Sequence, residues 1–219
     1  MTILLAVTGV DAVVLAADTR THTIATRQIK STPSDKIAIW RDRAAWATGG
    51  YATAKDEIQP LLPRGGNLKD LNDAIIEGSK TVDERYLPQA LAERIEPQNV
   101  FSLTVGFMGN KPTYFVNAPA LDQYLVKDEP GFITGLGTHT ETAQILADET
   151  ARSSLHNNRL PADLWAVQTV MKKIERYPVE VGFPLDLVLF QRGNSRPLRR
   201  RIHGPRDFTP SQQWSIQIA

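Results

Sequence analysis

The sequence predicts an α+β fold, and three observations carry the prediction. Strand-like runs fill the first fifty residues, segments with helical spacing then come in pairs, and strands return after each pair. The order is therefore strands, two helices, strands, two helices, strands. Each sheet needs its apolar face covered, so a layered sandwich of antiparallel sheets with helices outside satisfies the pattern. Periodicity alone does not fix which layer lies where.

The first strands are expected at Thr2 to Val7, Ala12 to Asp18, Ile24 to Ile29, Lys36 to Trp40 and Ala44 to Thr48, divided by turn formers at Gly9 and Pro33-Ser34-Asp35. Consecutive short strands at this spacing read as hairpins. A helix follows from Tyr51 to Leu61. A second begins at Leu68, with Asn67 as N-cap and Leu68, Leu71, Ile75, Val82 and Tyr86 at helical spacing. Pro88 is expected to interrupt it, leaving a shorter helix to Ile95.

The middle strands are Val100 to Phe107 and Thr113 to Val116, joined by Gly109-Asn110, then Gln123 to Val126 and Phe132 to Gly135. Thr138-His139-Thr140-Glu141 has the form of a capping box and introduces a helix through Ser154. Pro161 opens the last helix, with Leu164, Val167, Val170, Met171 and Ile174 as its apolar face and Pro178 beyond its end. Strands at Leu185 to Gln191 and Leu198 to Ile202 close the pattern. The tail alternates Trp214, Ile216 and Ile218 with polar residues, so it adds a strand or packs on a neighbouring subunit.

Composition narrows the function. With 219 residues, 42% hydrophobic, 22% charged and a net charge of +1, the chain suits one domain over residues 1–219 and does not suit phosphate-backbone binding, so no nucleic acid is expected. Arg196 and Arg199-Arg200-Arg201 read as a solvated edge. No apolar run approaches the roughly 20 residues of a membrane span, and the start lacks a secretory signal, so no membrane partner and a cytoplasmic location are expected. The absence of cysteine excludes disulfides and thiolate catalysis. His22, His139, His156 and His203 have no ligand-like spacing, so neither a metal nor another cofactor is expected.

The chemistry starts at Thr2. Removing Met1 leaves a threonine with a hydroxyl and a free α-amine, a nucleophile and base on one residue, because an amine of pKa roughly 7.7–8.0 can take the hydroxyl proton near neutral pH. Alone, a Met-Thr start is an ordinary strand beginning. Its context is not ordinary. Thr2-Ile3-Leu4-Leu5-Ala6-Val7, Asp11 through Arg20 with its Leu15-Ala16-Ala17-Asp18-Thr19-Arg20 core, and Ala47-Thr48-Gly49-Gly50 together resemble the β-type subunits of proteasomes, within the N-terminal nucleophile hydrolases. The layout is more similar to bacterial proteasome homologues and the bacterial heat-shock ring peptidase than to eukaryotic subunits, since only methionine removal is expected to free Thr2.

The resemblance implies a four-layer αββα sandwich and a threonine-type peptidase acting on peptide or protein substrates within a homo-oligomeric ring, served in many members by an ATP-dependent unfoldase. It assigns Thr2, Asp18, Lys36 and Gly50 as the catalytic set. Asp18 positions Lys36 and balances its charge, Lys36 disfavours protonation of the Thr2 amine, and the Gly50 N–H donates to the oxyanion. His22 borders the substrate groove and Thr48 lies near the base of the specificity pocket. The bland alternative for Asp18 and Lys36 is a structural ion pair at a sheet end.

The sequence also departs from the family. Leu136, within Gly135-Leu136-Gly137, stands where a serine supports the threonine amine, and Pro178 and Val181 stand at the positions of an aspartate and a serine. Thr138 offers a hydroxyl nearby, although a capping role explains it equally well. These departures favour a second reading, an inactive ring or scaffold subunit. A third keeps the nucleophile for amide hydrolysis or peptide ligation.

Overall fold

The computed structural model describes residues 2–20, 35–94 and 97–218. Two five-stranded antiparallel sheets stack between two helical layers. β1 (Ile3–Thr8) and β2 (Ala12–Asp18) form the centre of the first sheet, with β8 (Ile133–Gly137) beyond β1 and β10 (Leu185–Gln191) and β11 (Leu198–Ile202) beyond β2. The second sheet runs β3 (Ile37–Trp40), β4 (Ala44–Gly49), β5 (Phe101–Met108), β6 (Lys111–Ala118) and β7 (Gln123–Lys127) in chain order.

Three apolar layers follow from the alternation of side chains along these strands. Ile3, Leu5 and Val7 face α3 (Thr140–Ser154) and α4 (Ala162–Arg176), together with Trp165 and Val170. Leu4 and Ala6 face the other way, into the space between the sheets, against Leu103, Val105 and Val116. Trp46 and Ala44 of β4 turn outward to α1 (Ala54–Ile58) and α2 (Leu68–Ala92). A sheet covered on both faces has no polar side, which is why β1 and β2 read as continuous apolar runs. A small sheet pairs β9 (Arg159–Pro161) with β12 (Ser215–Gln217), so the tail adds a strand to its own chain.

Several boundaries differ from the sequence reading, each for a physical reason. The helix expected from Tyr51 to Leu61 is α1 followed by a 3₁₀ turn over Gln59–Leu61, where Pro60 cannot supply the next helical N–H. α2 begins as expected: Asn67 Oδ1 accepts from the N–H groups of Lys69 and Asp70 (2.8 and 3.1 Å), and Asp70 returns the bond to the Asn67 N–H (2.8 Å). It is not interrupted at Pro88 but runs on to Ala92. Glu84 and Pro88 are both exposed, so the carbonyl left without an N–H lies on a solvent-facing stretch of the helix.

The capping box expected at Thr138 to Glu141 does not form. His139 is the N-cap of α3, in a left-handed conformation (φ 55°) and without a side-chain cap bond. Thr140 instead donates to the Gly137 carbonyl (2.6 Å). Pro161 caps α4 from outside its first turn, and the buried face of α4 includes Ala162, Trp165, Ala166, Val167, Val170 and Lys173, so Val167 and Val170 lie where expected, while Leu164 lies at its margin and Met171 outside it. The strand expected over Ile24 to Ile29 lies outside the described residues. Among those described, no helix is long and apolar enough to cross a membrane.

Candidate active site at the Thr2 end of the sheets

Strand register gathers the site. Leu4 pairs with Ala17, so one further step sets Ile3 beside Asp18 at the end of β2, and the Ile3 N–H donates to Asp18 Oδ1 (3.0 Å). In the second sheet Ile37 pairs with Ala47, so Lys36 enters β3 level with Thr48 at the end of β4. The two sheets meet through Lys36. Its Nζ donates to Thr2 Oγ1 (2.7 Å), Asp18 Oδ1 (2.8 Å) and the Arg20 carbonyl (2.7 Å).

Three acceptors match the three N–H bonds of an ammonium. All three side chains are removed from water: Thr2 is 4% exposed, Asp18 0% and Lys36 8%. Burial pushes the Lys36 ammonium below the ordinary lysine range, and the Asp18 carboxylate opposes that shift. The Thr2 hydroxyl oxygen accordingly sits against a desolvated cation whose field favours an alkoxide there. Asp18 Oδ2 is buried and has no partner among the described residues. Buried acceptors of that kind are rare, so the site is not fully satisfied as it stands.

The main chain of Thr2 is held from the other side. Gly137 lies opposite Ile3, and a Cβ there would stand 2.1 Å from the Thr2 carbonyl oxygen, so only glycine admits this approach. The Thr138 N–H donates to that same carbonyl (3.2 Å). Arg20 donates to the Pro178 carbonyl (2.8 Å), with its guanidinium packed over Gly182.

The remaining expected residues are placed less directly. Gly50 follows β4 at the same end as Lys36, with φ +99°, and a Cβ on it would reach the Asn99 carbonyl oxygen at 2.7 Å. Thr48, 5% exposed, continues the face of Ala44 and Trp46 toward the helices. Among the described residues neither bonds to Thr2. His22 lies outside them. Leu136 is buried between the sheets, Val181 is buried against the α3 and α4 layer, and Pro178 contributes only its carbonyl, so these three positions bring no polar side chain to Thr2. Among the described residues no group of three His, Asp or Glu side chains converges to hold a metal ion.

The fold is that of a known set of solved structures. The fold is shared with Anbu. A mutant Anbu from Hyphomicrobium sp. strain MC1 superposes with a TM-score of 0.68 at 19% identity, over 94% of this chain and 89% of that one. Anbu from Pseudomonas aeruginosa, described as a helical assembly of the Anbu complex, gives a TM-score of 0.72 at 17% identity over 97% and 89% of the two chains. Anbu from Yersinia bercovieri, described as an ancestral beta-subunit, gives 0.68 at 16% over 93% and 88%.

No protein-family model and no curated protein matches the chain. The motif resemblance to proteasome β-type subunits is thereby corrected. The solved structures named above are Anbu proteins, which are related to those subunits and not the same, and at such low identity the likeness establishes the fold alone.

Sequence reading missed Lys173, His139 and Glu180 beside the Thr138 corner. A signal was present for the first. Lys173 follows Ala166 and Val170 at helical spacing, so a charged residue stands in the apolar stripe of α4 and is fully buried there.

Proposed function

We propose that this chain is the subunit of a homo-oligomeric N-terminal nucleophile hydrolase, a threonine-type peptidase whose nucleophile is Thr2. The observation that carries the reading is the 2.7 Å bond from the buried Lys36 ammonium to Thr2 Oγ1. That bond sets a desolvated cation against the one oxygen that would attack, where its field favours the alkoxide. Once whatever precedes Thr2 is removed, its α-amine takes the Oγ1 proton as the oxygen attacks a peptide carbonyl carbon. Lys36 stabilises the developing alkoxide, and an N–H such as that of Gly50 receives the oxyanion, a contribution of about 10²–10³ in rate. The C–N bond then breaks, the leaving amine takes the proton from the Thr2 ammonium, and water hydrolyses the ester. Thr48 and His22 belong to the substrate side in this reading, and Anbu assemblies support self-association.

A second reading, an inactive assembly subunit, is favoured by Leu136 and Val181, which put buried hydrocarbon where supporting hydroxyls are expected. One experiment separates the two. Purified protein is treated with a peptide α′,β′-epoxyketone, which consumes hydroxyl and amine of an N-terminal threonine together, and its intact mass is measured. A single adduct on protein that has lost Met1, absent in Thr2→Ala, is expected. A Thr2→Ala variant that still hydrolyses peptides at the full rate overturns the assignment of the nucleophile, and an unreactive free Thr2 leaves the scaffold reading.

A further inference from the structure

The corner between β8 and α3 carries more chemistry than a connection needs. His139 adopts φ 55°, a left-handed conformation uncommon outside glycine, and no side-chain cap bond accompanies it. What holds the corner is a cluster drawn from α4 and the segment after it. Lys173 Nζ donates to the Thr138 carbonyl (2.7 Å) and reaches the His139 carbonyl (3.4 Å). The His139 ring stacks on Tyr177 (centroids 4.4 Å apart, 17° between planes), and its Nε2 donates to Glu180 Oε1 (3.1 Å). Lys173 also lies over the Tyr177 ring, 4.4 Å from its centroid.

This cluster is one residue from the nucleophile's backbone, because Thr138, held at its carbonyl by Lys173, uses its N–H to hold the Thr2 carbonyl. It also falls near the positions that lack polar support, with Leu136 two residues before Thr138, Pro178 two residues before Glu180 and Val181 one after it. Lys173 is 0% exposed, and burial lowers its pKa, with Glu180 opposing the shift and Arg176 adding to it. Glu180 Oε2 is buried with no partner among the described residues. Half-satisfied polar networks are sensitive to loss of a member, so the corner is poised to respond to changes in this set.

We propose that His139, Glu180 and Lys173 are positioning residues for Thr2, fixing the Thr138 corner and through it the placement of the Thr2 main chain and α-amine. The inference rests on the reading of Thr2 as nucleophile. Lys173 sets the two carbonyls, and the His139 to Glu180 bond keeps the left-handed corner from relaxing. The charged and titratable groups around the His139 ring are Glu180, Tyr177, Lys173 and, through Lys173, Arg176.

The test compares epoxyketone capture at Thr2 and peptide hydrolysis in wild type, His139→Gly, His139→Asn and Glu180→Gln. Glycine keeps the left-handed backbone and removes the ring, so a purely conformational role for residue 139 is left intact by it. Capture at Thr2 and the kcat of peptide hydrolysis are both expected to fall at least tenfold in His139→Gly and in Glu180→Gln, with KM little changed and the pH profile of capture displaced. Asparagine, which tolerates the same backbone and can hydrogen-bond, is expected to recover part of the rate. Circular dichroism melting checks that each variant folds, and the near-isosteric Glu180→Gln carries the test if a His139 variant does not. Wild-type rates and pH profiles in His139→Gly and Glu180→Gln, with capture reduced about 10²-fold or more in Lys36→Met, overturn the positioning role alone. A wild type that never captures overturns it together with the nucleophile reading.

Discussion

Lys36 holds the two sheets and the candidate nucleophile in one set of bonds, so its removal separates stability from chemistry. Lys36→Met leaves the Asp18 carboxylate buried without its cation, and breaking a buried pair in this way costs about 3–5 kcal/mol. Thr2 capture is expected to fall by about 10²-fold or more on loss of such an electrostatic contact. Adding Asp18→Asn should restore part of the denaturation midpoint, since an amide oxygen still accepts from the Ile3 N–H, while reactivity stays low. Because burial lowers the Lys36 pKa, the folded chain gives up that proton at lower pH than the unfolded one. Stability from this group therefore rises with pH through that window and is flat below it.

Asp83 has the opposite sign. On α2 it accepts the Val100 N–H (2.9 Å), and burial raises its carboxyl from 3.8 to about 6. Between those values the folded chain binds more protons than the unfolded one, so this contribution falls as pH rises from about 4 to about 6. Asp83→Asn keeps the acceptor for Val100 and removes the ionisation. With allowance for its half-exposed setting, urea denaturation at pH 7 should show a gain on the order of 1 kcal/mol that disappears at pH 4.

At the scale of the element, α2 shows where local rules yield. Its last buried residue is Val82, and the turns beyond it are mostly exposed, so Pro88 costs the helix one bond without opening a core. Pro88→Ala restores the N–H toward Glu84. Interior proline is about 3 kcal/mol worse than alanine, and near a fraying end the expected gain is about 1 kcal/mol, readable as increased ellipticity at 222 nm and a higher Tm. The start of α3 is the converse case. A sequence with the letters of a capping box instead forms a left-handed corner, because the Lys173 bonds to the Thr138 and His139 carbonyls fix the backbone from the neighbouring helix.

For the whole molecule, the layer between the sheets is the shared element. Leu103 of β5 is 0% exposed there and packs in the same cluster as Leu4 and Leu15 of the opposite sheet. Leu103→Ala is expected to cost about 2–5 kcal/mol. Its effect should be felt on both sides of the sandwich, because Trp46 lies in the α1 and α2 layer and Trp165 in the α3 and α4 layer. Denaturation of single-tryptophan variants retaining one or the other should give one coincident transition, lowered equally by Leu103→Ala.

The sequence by itself determined the layered α+β class, the hairpin strands, the Asn67 cap and the meeting of Thr2, Asp18 and Lys36 as a motif. The first three follow from local spacing, turn residues and the one-sided or two-sided burial that leaves its mark on each strand, whereas the set of Thr2, Asp18 and Lys36 came only through the resemblance to proteasome β-type subunits. Only the tertiary structure decided that Lys36 spends a donor on Thr2 Oγ1, that Pro88 stays within its helix, and that His139, Glu180 and Lys173 converge behind Thr138. Those outcomes depend on partners 34 to 41 residues away for the hydrogen-bonded groups and on solvent exposure for Pro88. Such terms have no periodic signature along a chain, because they arise when separate elements pack and exclude water between them.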